Sequence, residues 1–281
     1  MNFGEIKLYP LCDGFFGLDG GAMFGVVPKP IWEKTTPPDE QNRIKLALRP
    51  LLVVTAQNLI LIDTGIGDKY DTKFAERYRI EKSDSLLDSL TRLGFNPEDI
   101  TMVILTHLHF DHCGGATRIK DGKLVPTFPD ARYIVQEREW QDAIFPNRRS
   151  RASYLAENFL PVREANRLDL VNGSWEICPG IELLHTGGHT RGLQLVKIKS
   201  TNNTAIFWSD MIPTKSHIPV PYIMGYDLFP LESMTQKEKL LHQAIEGNWL
   251  SFFEHDSEVI MGRITLQDNQ YQLTPIDEEE T

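Results

Sequence analysis

The chain has no run of about 18 apolar residues that could span a bilayer, and its start, MNFGEIKLYPLCDG, has no basic segment leading into a long apolar stretch. A membrane span and a secretory signal are therefore not expected, and a cytoplasmic location is. Cysteine is scarce too: Cys12, Cys113 and Cys178 are odd in number and far apart, which argues against a disulfide framework and suits a reducing compartment. Positive charge is short, with 29 Lys and Arg against 39 Asp and Glu for a net charge of −10, which repels nucleic-acid phosphates and anionic membranes alike. Nucleic acid and membrane drop out as partners. Histidine is also rare, at 8 of 281 residues, so its placement carries information.

What remains is ordinary for a globular protein, with 41% hydrophobic and 24% charged residues and enough length to bury a substantial core without cross-links. Only the acidic end, residues 277–281, looks frayed. Alternation predicts a strand over 6–12, and apolar runs over 51–55 and 58–63 predict a hairpin. Residues 20–30 are too rich in Gly and Pro for regular structure, and such long loops are often functional. A cap at Ser83 and a face of Leu86, Leu87, Leu90 and Leu93 predict a helix over 84–93, ended by Gly94. TMVIL at 101–105 reads as a short strand covered on both faces. Further strands are expected at 132–135, 181–185, 193–198, 204–208 and near 259–261, and helices at 137–144, 153–166 and 233–246. LILID at 59–63 and AIFWSD at 205–210 echo each other, each an apolar strand ending in aspartate. A duplicated αβ unit would explain the echo. The expected fold is α+β, a single domain over 1–281 built from two halves, about 1–125 and 126–281, packed sheet to sheet as a four-layer αββα sandwich.

His107, His109, Asp111 and His112 place four potential ligands within six residues, directly after the 101–105 strand. Neutral imidazoles and carboxylates suit zinc. In an extended loop residues two apart face the same way, so His107 and His109 can share one metal while Asp111 and His112 are offset toward a second. For a single histidine a surface or core role is the ordinary reading; for this cluster the balance reverses. One loop cannot complete two coordination spheres, and the remaining candidates are His189 in TGGHTRG, Asp210 at the end of the echo strand, and His255 in FEHD. Cys113 reads as a small buried hydrophobe, and His185, His217 and His242 stay unassigned.

On these residues the chain resembles the metallo-β-lactamase superfamily over nearly its whole length, whose His-x-His-x-Asp-His pattern and distant His, Asp and His are all matched. Asp63 in AspThrGly matches a further acidic position that supports the ligand loop. Within the superfamily it is most similar to the dinuclear quorum-quenching N-acyl-homoserine lactonases, with methyl parathion hydrolase a nearby relative. The resemblance implies the metallo-β-lactamase fold and two Zn²⁺ per chain, with Fe, Mn or Co as alternatives. His107, His109 and His189 would hold one ion, Asp111, His112 and His255 the other, and Asp210 both, with Asp63 orienting them from behind. It also implies a hydrolase that opens a lactone ring with hydroxide held between the metals, Asp111 and Asp210 being catalytic and Asp111 passing a proton to the leaving alkoxide. Two departures stand out. The usual Thr-Pro-Gly-His turn is here Thr186, Gly187, Gly188 and His189, and Pro213 stands where well-known lactonases carry a carbonyl-polarising Tyr, for which Tyr222 or Tyr226 are the substitutes. A polar ring with an apolar tail needs a matching groove, and Met23, Phe24, Tyr222, Met224 and Tyr226 are its candidate residues. Phosphotriester hydrolysis on the same metal pair and a metal-braced, non-catalytic binding protein are the competing readings. The expected partner is a small-molecule lactone, with a homodimer left open.

Overall fold

The structure, a computed structural model, describes residues 1–276; the acidic end 277–281 lies outside the described residues. The run Leu59–Ile62 shows how the layers arise. Successive side chains of a strand point to opposite faces, so Ile60 and Ile62 pack inward between two sheets while Leu61 packs outward against helices. A strand covered on both faces is apolar at every position, which is why no polar residue interrupts it.

Leu59–Ile62 is the fourth of seven strands, in the order Asn2–Phe3, Ile6–Pro10, Leu51–Val54, Leu59–Ile62, Met102–Ile104, Arg132–Gln136 and Leu168–Val171. The first four are antiparallel and the last four parallel. Parallel neighbours need crossovers, and these carry the helices Leu86–Arg92 and Glu137–Ile144, whose Leu86, Leu90 and Ala143 cover the outer face. The second sheet runs Trp175–Cys178, Ile181–His185, Gln194–Ser200, Asn203–Phe207, Leu250–Phe252, Met261–Gln267 and Gln270–Pro275, with one parallel pair, Asn203–Phe207 beside Leu250–Phe252. Its outer face, through Leu195 and Ile206, is covered by Leu240, Leu241 and Ala244 of the helix Pro230–Glu246. The result is the α+β sandwich with helices on both outer faces.

The two echo strands occupy matching places, each opening a parallel pair. The turns that follow them are strained: Asp63 has φ 55° and Ser209 φ 45°, a left-handed region that residues with a Cβ seldom enter and that recurs at functional sites. Every candidate metal ligand lies just beyond a strand of one or the other sheet.

Several elements differ from expectation. Ser85, not Ser83, caps the helix Leu86–Arg92, its hydroxyl accepting from the Asp88 N–H at 3.1 Å. The helix expected over 153–166 is only Ala156–Asn158 and Leu160–Glu164, because Pro161 lacks an N–H and disfavours helical geometry before it. Pro230, preset for a first helical turn, starts the last helix three residues early. The strand near 259–261 is instead Met261–Gln267, paired with Gln270–Pro275. Residues 20–30 include two short helices, Gly20–Phe24 and Lys29–Trp32.

Lys237 is fully buried in the helix Pro230–Glu246, its Nζ donating to the Tyr222 carbonyl at 2.8 Å. Burial pulls its amine down to about 7. The unfolded chain, with lysine near ~10.4, therefore binds the proton first, and stability is lost as the pH falls from about 10 to 7. Lys237→Met removes this loss but leaves the Tyr222 carbonyl unpaired, so we expect a net gain of about 2 kcal/mol and ~5 °C in Tm at pH 7. Calorimetry at pH 7 and 10 checks it: a gain as large at pH 10 would refute the buried-charge account.

Candidate metal centre

The strand Met102–Ile104 delivers the chain into residues 107–112, whose path is fixed from below by Asp63. Asp63 Oδ1 accepts from the Thr106 N–H at 2.7 Å and Oδ2 from the Thr106 hydroxyl at 2.6 Å, while His112 Nδ1 lies 3.1 Å from Oδ2. The Thr106 and Ser209 hydroxyls meet at 2.8 Å, tying this loop to the one that carries Asp210. His107, His109, His189 and Asp210 form one set of buried donors within 4.8 Å of one another; Asp111, His112 and His255 form a second.

Asp210 joins the sets. Its Oδ2 lies 3.0 Å from His189 Nε2 and 3.7 Å from His107 Nε2, while its Oδ1 lies 3.2 Å from His255 Nε2 and 3.4 Å from His112 Nε2. Asp111 Oδ2 stands 3.8 Å from both His112 and His255. Ring nitrogens also face each other directly, His109 Nδ1 to His189 Nε2 and His112 Nε2 to His255 Nε2, each at 3.1 Å. Two imidazole nitrogens at that distance need a proton or a cation between them. His107 Nε2, buried and aimed inward, has no hydrogen-bond partner at all.

The outward nitrogens, by contrast, are supported on four of the five rings, His109 Nε2 being buried without a hydrogen-bond partner. His189 Nδ1 meets Asp227 Oδ1 at 2.9 Å, His255 Nδ1 donates to the Ala47 carbonyl at 2.8 Å, and His107 Nδ1 faces the Thr106 hydroxyl at 3.2 Å. Such partners fix ring orientation and tautomer around a metal. A donor set of five imidazoles and two carboxylates, inner nitrogens convergent and the outer nitrogens of four of the five rings anchored, fits a pair of divalent cations and zinc in particular.

Burial holds His107 and His109 well below the usual imidazole range. Burial opposes a charge on His112, His189 and His255 as well, yet facing carboxylates outweigh it: Glu254, Asp210 and Asp111 for His112, Asp210 and Asp227 for His189, and Asp210 for His255, which rises to about 9. Burial likewise opposes ionisation of Asp210, and the imidazoles of His112 and His189 reverse it, holding the carboxylate well below its ordinary range.

The residue model of the metallo-beta-lactamase superfamily matches positions 51–255. The chain belongs to the metallo-β-lactamase superfamily. An N-acyl homoserine lactonase of Bacillus cereus is 29% identical over 230 residues, 77% of this chain and 84% of that one. A "probable metal-dependent hydrolase" from Staphylococcus aureus superposes with a TM-score of 0.90 at 33% identity, covering 99% of this chain and 100% of the other. AidC, a dizinc quorum-quenching lactonase solved with a product N-acyl-homoserine, shares the fold at a TM-score of 0.81 and 24% identity, over 99% of this chain and 96% of its own. This member of the superfamily is a metal-dependent hydrolase.

Five of the seven candidate ligands, His109, Asp111, His189, Asp210 and His255, line a cavity of about 320 Å³, while His107 and His112 are fully buried behind them. Met23, Met224 and Tyr226 line it as expected from the sequence, joined by Leu18, Tyr78, Phe110, Arg149 and Leu228. Phe24 and Tyr222 do not. Phe24 is fully buried behind the wall, stacked between Trp32 at 5.1 Å and His217 at 4.6 Å, with Tyr222 edge-on to it at 6.4 Å. His217 ties this stack to the wall, its Nε2 meeting the Met23 carbonyl at 2.9 Å. Cys113 is buried and its Sγ meets the Leu108 carbonyl at 3.3 Å. The unusual turn also has a cause. Gly187 has φ 65°, which proline's ring forbids, and a Cβ on Gly188 would meet Ser233 Oγ at 2.5 Å.

Two carboxylates in direct contact with ligand imidazoles escaped the sequence reading. Asp227 anchors His189, and its Oδ2 accepts from the Ser233 hydroxyl. Glu254 is fully buried with Oε2 3.0 Å from His112 Nδ1, without a well-directed hydrogen bond, and burial raises its carboxyl. Phe110 could have been found, since it sits inside the His-rich motif; Asp227 lies in no motif.

Proposed function

We propose that this enzyme opens the lactone ring of N-acyl-homoserine lactones or related lactones, with two zinc ions as its resident cofactor. The observation that carries the reading is the Asp210 carboxylate, one oxygen turned to His107 and His189 and the other to His112 and His255, on the floor of a half-apolar cavity. The Bacillus relatives, named N-acyl homoserine lactonases, support the substrate class. His107, His109 and His189 would hold one ion, Asp111, His112 and His255 the other, and Asp210 both. When bound, the pair supplies a water of lowered pKa and a Lewis acid for the carbonyl.

The protein's own groups do the rest. Asp111 borders both the second donor set and the cavity, so it can carry a proton to the alkoxide released when the ring opens. Tyr226 lines the cavity and burial keeps its phenol protonated, which makes it the donor to the lactone carbonyl in place of the tyrosine replaced by Pro213. Met23, Phe110, Met224 and Leu228 exclude water and offer an apolar path for the acyl tail. Asp63 and Asp227 hold ligand imidazoles in orientation.

A panel of lactones of varied acyl length, run beside an aryl phosphotriester with metal content measured, tests the reading. We expect kcat/KM for the best acyl-homoserine lactone to exceed that for the phosphotriester by about 100-fold or more. A phosphotriester well above every lactone would reassign the substrate, and metal-replete but inert protein would reassign the chain to binding.

A further inference from the structure

We propose that Glu139 is a positioning residue that locks together the two loops supplying His107, His109 and His189. The inference rests on the reading above that these three histidines hold one metal. Glu139, the third residue of the helix Glu137–Ile144, is fully buried beneath them. Its Oε1 accepts from the Leu108 N–H, between His107 and His109, at 2.9 Å and from the Tyr154 hydroxyl at 2.9 Å. Its Oε2 accepts from the hydroxyl of Thr190, next to His189, at 2.6 Å. Tyr154 in turn sets its ring edge-on to His109, centroids 4.9 Å apart.

One carboxylate therefore reaches both ligand loops and, through Tyr154, the ring of His109. The second loop is shaped for the approach: a Cβ on Gly192 would come within 2.4 Å of the Glu139 backbone nitrogen and Cβ, so only glycine lets it lie against the start of this helix.

The arrangement answers a physical need. His107 and His109 follow a strand of the first sheet and His189 follows a strand of the second, so no covalent connection sets their spacing. On the opposite flank Asp63, through Thr106 and Ser209, ties His112 to the Asp210 loop. Glu139 is the counterpart on the His109 and His189 flank, and a carboxylate accepting three hydrogen bonds is a stiff joint. A buried acid that merely braces the fold would lower stability and leave both metal affinities alone; a positioning residue splits them.

Titrating the metal-free full-length chain with Zn²⁺ against a chromophoric chelator gives two stepwise affinities, and Co²⁺ in its place reports ligand geometry by its absorption spectrum. Glu139→Ala and Thr190→Val should each weaken one affinity by about 10- to 100-fold, leave the other within about twofold, and shift the Co²⁺ spectrum. Glu139→Gln, which keeps an oxygen for Leu108 and Tyr154, should recover most of the loss. Thr190→Val deletes one hydroxyl and decides the matter even if Glu139→Ala does not fold. Two Zn²⁺ bound with unaltered affinities in Thr190→Val, or equal weakening of both sites, overturns the positioning role and leaves the lactonase reading standing. A wild-type chain that takes up no metal overturns both.

Discussion

Asp210→Ala is expected to lower kcat/KM for lactone opening by about 10³-fold or more and to reduce bound metal from two per chain to one or fewer, because groups that act as one unit fail together. Asp210 is the single side chain shared by both donor sets, with oxygens 3.0 Å from His189 and 3.2 Å from His255. Its removal deletes a ligand from each set and the negative charge that lets five buried imidazoles face one another. Asp210→Asn keeps the shape but turns an amide NH₂ toward one imidazole pair, so it should retain more thermal stability than Asp210→Ala while losing metal to a similar degree. Elemental analysis with initial rates on one lactone separates the cases. An alanine variant that keeps two metals and more than a tenth of the activity would remove Asp210 from its shared position.

The metal-binding pattern was readable in sequence for a physical reason. Four of its seven donors lie on one loop, and the others each follow a strand, so the chemistry is concentrated where apolar runs stop. The layered fold was readable from Leu59–Ile62 and its echo, because burial on both faces leaves nothing but apolar side chains. What supports the donors was not. Asp227, Glu139 and Glu254 act on histidines across 38 positions in one case and between loops of different sheets in the others, and a lone carboxylate carries no periodic signal. The half-exposed strand Lys123–Pro126 was missed because its residues neither alternate cleanly nor form an apolar run, and Gln270–Pro275 was missed although Tyr271 and Leu273 alternate there with polar residues. Phe24 and Tyr222 are expected on the pocket wall because an aromatic in a loop looks the same in sequence whether it faces a ligand or, as here, packs behind the wall, Phe24 stacked on Trp32 and His217 and Tyr222 edge-on to Phe24.

Stripping the metals with a chelator should abolish hydrolysis and lower Tm by about 15 °C. Ions that bind only the folded state add about 4 kcal/mol per site at a thousandfold excess over Kd, and ~2 °C follows from each kcal/mol in a chain of this size. The effect has a definite sign with pH. In the metal-free chain burial acts against charge on His112, His189 and His255, but the carboxylates around them prevail and raise all three above the ordinary imidazole range, His255 to about 9. Their protons stabilise the metal-free fold fully below the unfolded value of ~6.5, and that stabilisation is lost as the pH rises through the folded values. A ligand imidazole must surrender its proton, so metal uptake at pH 7 displaces protons from these rings, and affinity climbs by up to ~tenfold per displaced proton per pH unit until they have titrated. His107 and His109, held neutral by burial, release none. The difference in Tm between loaded and stripped protein should therefore widen from pH 6 to pH 9. A gap that stays constant or narrows would mean that protons and metals do not compete for the nitrogens facing Asp210.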